Sequence, residues 1–243
     1  MKLCIVGGTG NSGRALVRSA LARGHDVTAL VRNEAKIADL AHPRLCASVV
    51  SLGDHAALTR TLCGHDAVIN AAGYVSEGPA FVDLVQGVIR AADAALGAGG
   101  RFWLFGGAAL LDVPGAGVCT LDLPGVPKFY QAHRANFKAV GVTALDWSML
   151  CPGPMIEAPG GKASEELVLS AEVWPTAPPY MRVLPRVALA LAFKHAVPRM
   201  TIYYEDAARV ILDNLQRGGP YSHKRVGIAL ANEETRSKTA PTR

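Results

Sequence analysis

Short apolar runs alternate with longer amphipathic stretches along much of the chain, and this alternation limits the folds open to it. Residues 3–6 form the first apolar run, and residues 10–23 follow with helical periodicity up to Gly24, a residue type that commonly ends helices. The runs are almost continuously apolar, which is typical of strands buried on both faces of a parallel sheet. The sequence therefore predicts right-handed βαβ units and an α/β fold with a doubly wound parallel sheet.

The same pattern places strands and helices along the rest of the chain. Strands are predicted at residues 3–6, 27–31, 45–50, 67–72, 102–105, 145–150 and 225–230. Helices are predicted at residues 10–23, 34–40, 54–62, 81–96, 128–140 and 205–215, with a further buried helix in the alanine-rich stretch 183–197. Residues 108–127 and 153–200 have a looser rhythm and many glycines or prolines. Long irregular insertions in compact domains are often functional, so the substrate side is expected in residues 153–200.

Composition excludes several classes of protein. Half of the 243 residues are hydrophobic and 19% are charged, which fits a globular chain rather than a disordered one. The net charge of +5 is spread without a dense basic run, and aromatic residues make up only 6%, so we expect no nucleic-acid partner. No uninterrupted apolar run approaches the roughly 18 residues of a membrane helix, so we expect no membrane partner.

The cysteines and the N-terminus indicate a cytoplasmic protein. The cysteines are odd in number and widely spaced and form no CxxC pair, which is typical of reduced thiols rather than of a disulfide framework or a metal site. Cys4 and Cys151 lie in apolar runs and are predicted to be buried. The first apolar run is interrupted by Gly7 and is too short for a signal peptide.

The turn after the first strand has the glycine spacing of a phosphate-binding loop. Gly7, Gly10 and Gly13 follow the strand and open the first helix. The first glycine permits a tight turn, the second lets the backbone approach a pyrophosphate, and the third lets the helix pack against the strand. The helix N-terminus offers free N–H groups and a partial positive charge to the anion. Further donors come from the polar side chains between the glycines, which are Thr9, Asn11 and Ser12.

Arg32 ends the second predicted strand, at the position that faces the adenosine ribose of a bound dinucleotide. An acidic residue there would hydrogen-bond a 2′-hydroxyl, whereas the planar guanidinium of an arginine suits a 2′-phosphate. Glu34, two residues further on, would serve NAD(H) instead. We therefore expect NADP(H) as the preferred cofactor, with NAD(H) as the alternative.

Small residues end two other strands at the same edge of the predicted sheet. Their size would let a dinucleotide lie flat across that edge, and they are Ala71, Ala72 and Gly73 after the fourth strand and Gly106 and Gly107 after the fifth. Asp54 follows the third strand, where it is expected to accept a hydrogen bond from adenine, to cap the next helix, or both.

These motifs divide the chain into regions of one domain. Residues 1–152 are predicted to form the dinucleotide-binding core, and residues 153–231 a small C-terminal substrate-side region that completes the same domain. The polar residues 232–243 are expected to form a disordered tail.

Several segments together resemble the atypical short-chain dehydrogenase/reductase families with NAD(P)-binding Rossmann domains. The resemblance is greatest to NADH-flavin reductases, to flavin reductases similar to biliverdin reductase B, and to the NmrA-like group. It covers residues 2–13, 24–33, 53–54, 106–107, 145–154 and 205–212, whereas residues 156–200 match least. The resemblance implies a Rossmann fold, a reduced nicotinamide cofactor and a cofactor contact at Pro152, which follows the sixth strand. It leaves the substrate open, because these families are diverse.

The candidate catalytic residues, Tyr130 and His133, also come from this resemblance. Many short-chain dehydrogenases pair a tyrosine with a lysine four residues further on, together with a serine. Here Tyr130 is followed by Arg134, whose charge would also lower a tyrosine pKa, but Ala108 or Ala109 fills the serine position. In flavin reductases similar to biliverdin reductase B, a histidine at the place of His133 borders the nicotinamide. His133 would then be a proton donor or a neighbour of the cofactor.

The incomplete acid–base machinery favours an acceptor that needs little beyond hydride transfer. We therefore expect an NAD(P)H-dependent oxidoreductase that transfers hydride to a flavin, a quinone or a similar small conjugated acceptor. The aromatic and methionine side chains expected to line its substrate side are Trp174, Tyr180, Met181 and Tyr203.

Two other functions remain as alternatives to this interpretation. One is a catalytically weak NAD(P)-binding redox sensor or regulator of NmrA-like type. A nucleotide-sugar epimerase or dehydratase is less well supported, because it would need the tyrosine–lysine pair and a larger C-terminal domain. No metal site is expected, and the sequence leaves the oligomeric state open.

Overall fold

The structure, a computed structural model, describes residues 1–175, 177, 179–231 and 235–236, without the side chains of Pro179 and Tyr180. The substrate-side role predicted for Tyr180 therefore lies outside the described residues. So does the tail predicted at residues 232–243, apart from residues 235 and 236.

The strands that the sequence predicted are all present, together with shorter ones. In chain order, β1 to β12 are Lys2–Val6, Asp26–Val31, Leu45–Val49, Ala67–Asn70, Arg101–Phe105, Asp112–Val113, Val118–Cys119, Asp146–Cys151, Met155–Ile156, Leu167–Ala171, Ile202–Tyr203 and Lys224–Leu230. In the same order, helices α1 to α6 are Asn11–Ala22, His55–Leu62, Pro79–Leu96, Gln131–Gly141, Arg186–Ala196 and Tyr204–Asp213. The helix predicted at residues 34–40 is a 3-10 helix, Glu34–Leu40.

A large sheet runs through the described part of the chain in the order β3-β2-β1-β4-β5-β8-β12-β10. Its neighbouring strands are parallel, except that β10 pairs antiparallel with β12. The chain moves outward from β1 to β3 and then crosses back to β4 on the other side of β1. That reversal is the topological switch point at which doubly wound folds bind ligands. The predicted fold class is confirmed.

Strand β1 shows why the strands are continuously apolar. Its alternate residues enter two separate cores: Cys4 and Val6 pack on the face covered by α2, α3 and α4, whereas Leu3 and Ile5 pack on the face covered by α1 and α6. Because both faces are covered, Leu3 to Val6 are all buried, and only Lys2 at the start of the strand is exposed. The predicted burial of Cys4 and Cys151 is confirmed.

The alanine-rich stretch 183–197 is the main correction to the predicted elements. It forms α5, but that helix lies at the surface, and among its residues only Leu189 is buried. Val187 and Leu191 are 64% and 56% exposed. Alanines make the stretch apolar in composition without giving it a wide apolar face, so composition overstated its burial.

The sequence also missed β10, which adds an antiparallel edge to the sheet, and the hairpin of β6 and β7 within the predicted loop at residues 108–127. Within the described residues, no helix is both long and apolar enough to cross a membrane. The same residues contain no cluster of histidine, cysteine and acidic side chains suited to holding a metal ion.

Candidate functional site

A groove of about 780 Å³ lies at the carboxyl edge of the sheet, at the switch point between β1 and β4. The register explains why its walls meet there, because Val6 pairs with Leu30 of β2 on one side and with Asn70 of β4 on the other. The segments that follow these strands therefore leave the sheet side by side. The groove also takes in the segments after β5 and β8.

The β1–α1 turn forms one wall of the groove and depends on its glycines. Gly7 has a φ of +84°, and a Cβ there would lie 2.9 Å from the Ala72 backbone. A Cβ on Gly13 would lie 2.1 Å from the carbonyl oxygen of Gly7, so α1 packs against the turn only with glycine at that position. A Cβ on Gly10 would meet only the Gly7 oxygen, at 3.6 Å, and would otherwise project into open space. The protein's own packing therefore does not require a glycine at position 10, whereas a ligand that approaches the backbone closely would.

The first turn of α1 supplies donors beside that space. The amide of Arg14 makes the first helical bond, to the Gly10 carbonyl at 2.8 Å, so the amides before it begin the helix without intrahelical partners. Thr9, Gly10, Asn11 and Ser12 line the groove, whereas Gly13 lies behind it as packing. An open glycine followed by a helix N-terminus is the cradle that a pyrophosphate requires.

Two cations line the end of the groove beyond β2. Arg32 lies where the sequence predicts it, and Lys36 joins it from the 3-10 helix Glu34–Leu40. The Arg14 guanidinium donates to the Lys36 carbonyl at 2.7 Å and pairs with Asp39, which holds this 3-10 helix against α1. Lys36 was not predicted from the sequence, because Arg32 follows a strand and the two residues do not share a helix whose spacing would relate them. Glu34 does not line the groove.

The position of Asp54 does not support the predicted contact with adenine. Its carboxylate accepts a hydrogen bond from the Ala57 amide at 3.0 Å and so caps α2, and Asp54 does not line the groove. Of the two roles expected for this residue, the structure shows the cap. Val50 and Leu52 line the groove in this region instead. They are apolar, as a surface for a flat base would be.

The segment after β4 forms the floor. Ala71, Ala72 and Gly73 line the groove, as predicted for small residues, and the Asn70 side chain accepts from the Ala72 amide at 3.1 Å. Gly73 has a φ of +101°, and a Cβ there would lie 2.7 Å from the Phe81 ring. The absence of a side chain at Gly73 therefore lets the Phe81 ring pack against the floor, where Phe81 also lines the groove.

Gly106, Gly107 and Pro152 line the groove beyond the floor, where β5 and β8 end. The Ala108 amide donates to the Pro152 carbonyl at 2.8 Å and ties the two segments together. A Cβ on Gly107 would lie 3.0 Å from both Cδ2 and Nε2 of His133. The glycine therefore makes room for the imidazole at the wall of the groove.

His133 lies on α4, 7% exposed, and is held by aromatic neighbours. Phe81 meets its ring edge-on with ring centroids 5.5 Å apart, and Tyr130 stacks on it at 6.3 Å. Burial lowers the pKa of His133 to about 4, so the ring is neutral at pH 7. At that pH it offers one N–H and one lone pair and no positive charge.

Tyr130 lines the groove beside His133 but has no basic partner of the kind that the dehydrogenase triad uses. The Arg134 guanidinium binds the Asp122 carboxylate through two hydrogen bonds, at 2.9 and 2.8 Å. Ala108 and Ala109 occupy the groove wall where a triad would need its serine. The described residues thus place Tyr130 in the site as an aromatic wall, without the groups that would make it an acid or a base.

The remaining walls come from parts of the chain that sequence patterns did not connect. The groove is closed by Phe105, Met155, Phe193, Val197 and Tyr204. Two residues predicted on the substrate side lie in the core instead: Trp174 and Met181 are 2% and 5% exposed and do not line the groove. Trp174 packs against Phe193 with ring centroids 5.1 Å apart, so it supports the wall from behind. Tyr203 also lies outside the groove lining.

Comparison with known proteins agrees with this geometry. Residues 7–171 match a family model described as NAD(P)H-binding. The chain is 29% identical over 176 residues to the uncharacterised protein YwnB of Bacillus subtilis (strain 168), an alignment that covers 67% of this chain and 76% of YwnB.

Two solved structures illustrate the likeness in fold. A protein from Streptococcus pneumoniae TIGR4, provisionally described as an NADH-flavin reductase, has a TM-score of 0.70 at 24% identity, covering 95% of this chain and 99% of that one. A short-chain dehydrogenase/reductase of the wide type from Veillonella parvula DSM 2008, solved in complex with NADP, has a TM-score of 0.66 at 15% identity and covers 99% of each chain.

Proposed function

The chain belongs to the NAD(P)H-binding family, and from that premise we propose that it is an NAD(P)H-dependent oxidoreductase acting on a flat conjugated acceptor such as a flavin or a quinone. The single observation that carries this proposal is the continuity of the groove. One cavity is lined both by the cradle at Gly10 and by aromatic side chains, which are Phe81, Phe105, Tyr130 and Phe193.

The first half of the groove fits a dinucleotide. The open position at Gly10 and the amides of the first turn of α1 suit a pyrophosphate, and Ala71, Ala72 and Gly73 give a low floor. A nicotinamide lying along this floor would reach Gly106, Gly107 and Pro152, beside His133. When bound in its reduced form, the cofactor supplies the hydride.

The second half of the groove fits a flat apolar molecule. Aromatic side chains offer large rigid surfaces for a conjugated ring and keep water from the place where hydride would pass. Reduction of such a ring relies mainly on alignment, so it needs no triad. The neutral His133 and the unassisted Tyr130 suit this chemistry better than reduction of an isolated ketone, which calls for a strong proton donor.

We further propose NADP(H) as the preferred cofactor. Arg32 and Lys36 both line the end of the groove where the adenosine ribose would lie, whereas Glu34 does not. Two cations there favour a 2′-phosphate, and the guanidinium would bind it through its planar fork.

Turnover tests the proposal directly. The purified chain is mixed with NADPH and, in separate reactions, with riboflavin, FMN and a soluble quinone, and NADPH oxidation is followed by absorbance. We expect oxidation with at least one acceptor. Saturable NADPH binding without oxidation by any of them would overturn the proposal and favour the redox-sensor alternative.

Tyr130→Phe is the matched variant for the mechanism. It keeps the aromatic wall and removes only the hydroxyl, so we expect most of the turnover to remain. Loss of on the order of a hundredfold or more in kcat would instead show that the hydroxyl acts as an acid, and would contradict the proposed chemistry.

A further inference from the structure

Arg236 is bound to the fold, although it lies in the stretch 232–243 for which the sequence predicted a disordered tail. Its backbone amide donates to the Pro198 carbonyl at 3.0 Å. Its guanidinium donates to the Ser164 hydroxyl at 3.0 Å and lies over the Tyr203 ring, 3.7 Å from the ring centroid. The side chain is only 16% exposed. Arg236 thus joins the segment before β10 to the segment that leads into α6.

The same contacts surround the carboxylate of Asp206, which lies in the first turn of α6 and is fully buried. This carboxylate accepts hydrogen bonds from the amide and the hydroxyl of Ser164, at 2.6 and 2.7 Å, and from the Tyr203 amide at 2.9 Å. The Arg236 guanidinium lies 3.5 Å from one of its oxygens. Because a buried carboxylate needs hydrogen bonds and a countercharge to offset its loss of water, Arg236 and Asp206 together fix the start of α6.

The start of α6 contacts the dinucleotide end of the groove. Tyr204 is the first residue of α6 and lines the groove. Its hydroxyl accepts a hydrogen bond from the Asn11 side-chain amide at 3.2 Å, and Asn11 begins α1 beside the open position at Gly10. Arg236 does not line the groove, so any influence that it has on the cradle passes through the position of Tyr204.

We propose that Arg236 is a positioning residue for nucleotide binding, which holds the start of α6 so that Tyr204 forms a fixed wall beside Asn11. A wall that is in place before the nucleotide arrives costs less conformational entropy on binding than one that must be ordered at that moment. The wall lies beside the cradle for the pyrophosphate, which NADPH and NADH share. The inference therefore concerns both nucleotides, and it depends on the cradle rather than on the proposed reaction.

Nucleotide titration of the whole chain tests the inference. In Arg236→Ala we expect the Kd values of NADPH and NADH to rise by the same factor, about threefold to tenfold, the cost of ordering one or two side chains on binding. Arg236→Lys keeps the positive charge and should recover part of the affinity. Arg217→Ala, which removes an exposed arginine beyond the end of α6, is the control and should bind as the wild type does. Unchanged Kd values in Arg236→Ala overturn the proposal, and so does a rise for NADPH alone.

Amide hydrogen exchange without nucleotide tests whether Arg236 acts on the start of α6. In Arg236→Ala we expect the amides of Ser164 and Tyr203, which donate to Asp206, to exchange about tenfold faster, in line with the loss of one charged hydrogen bond. The hydrogen-bonded amide of Gly7 in the β1–α1 turn should keep its wild-type rate. An unchanged rate at Ser164 and Tyr203, or an equal increase at Gly7, contradicts the positioning role.

A pair of substitutions tests the part that Tyr204 plays. Tyr204→Phe keeps the ring and removes the hydroxyl that accepts from Asn11. If Arg236 acts through this contact, Arg236→Ala should weaken nucleotide binding less in the Tyr204→Phe background than in the wild type. Fully additive effects of the two substitutions would contradict the route through Tyr204.

These outcomes are distinguishable from those that test the proposed function. If binding and exchange behave as expected but no acceptor is reduced, the role of Arg236 stands and the proposed function fails. If an acceptor is reduced while Arg236→Ala binds both nucleotides as the wild type does, the proposed function stands and this inference fails.

Discussion

At the scale of single residues, the two cations beyond β2 have different origins. Arg32 could be predicted because it directly follows a clear apolar strand, where the fold fixes its direction. Lys36 could not be placed in the same way, because its position depends on a 3-10 helix that Arg14 of α1 holds through the Lys36 carbonyl. Strand ends are readable from a sequence, whereas a contact between two helices requires the fold.

Arg32→Asp should weaken NADPH binding much more than NADH binding. The substitution removes the fork for a 2′-phosphate and places a like charge there, so we expect the Kd of NADPH to rise by about tenfold to a hundredfold, the effect of one charged hydrogen bond. Lys36→Ala should act in the same direction with a smaller effect. Fluorescence titration with both nucleotides measures this.

Glu34→Gln is the control for that titration, because Glu34 is exposed nearby but does not line the groove. It should leave both Kd values close to those of the wild type. Equal weakening of NADPH and NADH in Arg32→Asp would contradict the assignment of Arg32 to the 2′-phosphate.

At the scale of helices and strands, the elements that could be predicted were those with the strongest burial pattern. Strands covered on both faces stand out in the sequence, and so does the glycine spacing of the β1–α1 turn. Strand β10 has four half-buried residues and one exposed residue, and it lies in a proline-rich region, so no continuous signal marked it. Helix α5 gave a strong apolar signal but covers the groove from the surface, with Phe193 facing the cavity and Leu191 facing water.

The β1–α1 turn predicts opposite behaviour for two of its glycines. Gly13→Ala places a Cβ against the Gly7 oxygen, so we expect the free energy of unfolding to fall by about 1–3 kcal/mol. Gly10 has an extended backbone, φ −75° and ψ 163°, that alanine adopts readily, and it has open space beside it. Gly10→Ala should therefore change stability by only about 0.5 kcal/mol or less.

Although Gly10→Ala should hardly change stability, we expect it to have a large effect on nucleotide binding. The alanine methyl group would occupy the space where the pyrophosphate approaches, so Gly10→Ala should lose both NADPH and NADH binding while remaining folded. Urea unfolding and nucleotide titration on the same preparations measure the two effects. Normal binding by Gly10→Ala would show that the cradle is not where we place it.

At the scale of the whole molecule, stability and the site are linked through His133. The buried ring has a pKa of about 4 in the folded protein, against about 6.5 for an ordinary histidine. The unfolded chain therefore takes up a proton more readily than the folded one. Stability contributed by the neutral ring is complete above pH 6.5 and is lost as the pH falls toward 4.

We expect this linkage to cost the wild type on the order of 3 kcal/mol of unfolding free energy between pH 7 and pH 4. His133→Gln should lose less stability than the wild type over the same range, and the difference removes the contribution of carboxylates common to both. His195→Gln, at an exposed position on α5, is the control and should follow the wild type. Parallel pH dependence of His133→Gln and wild type in urea unfolding would refute the linkage.

Different parts of the fold form the two ends of the groove. The end at the β1–α1 turn consists of that turn and of strand termini, and a Cβ on Gly7 or Gly13 there would collide with backbone. The opposite end is closed by side chains of a surface helix and of short segments outside the large sheet, among them Phe193, Val197 and Tyr130. Substitutions at this second end meet side chains rather than backbone, so we expect relatives of this chain to keep the dinucleotide end and to differ in the molecule that the other end accepts.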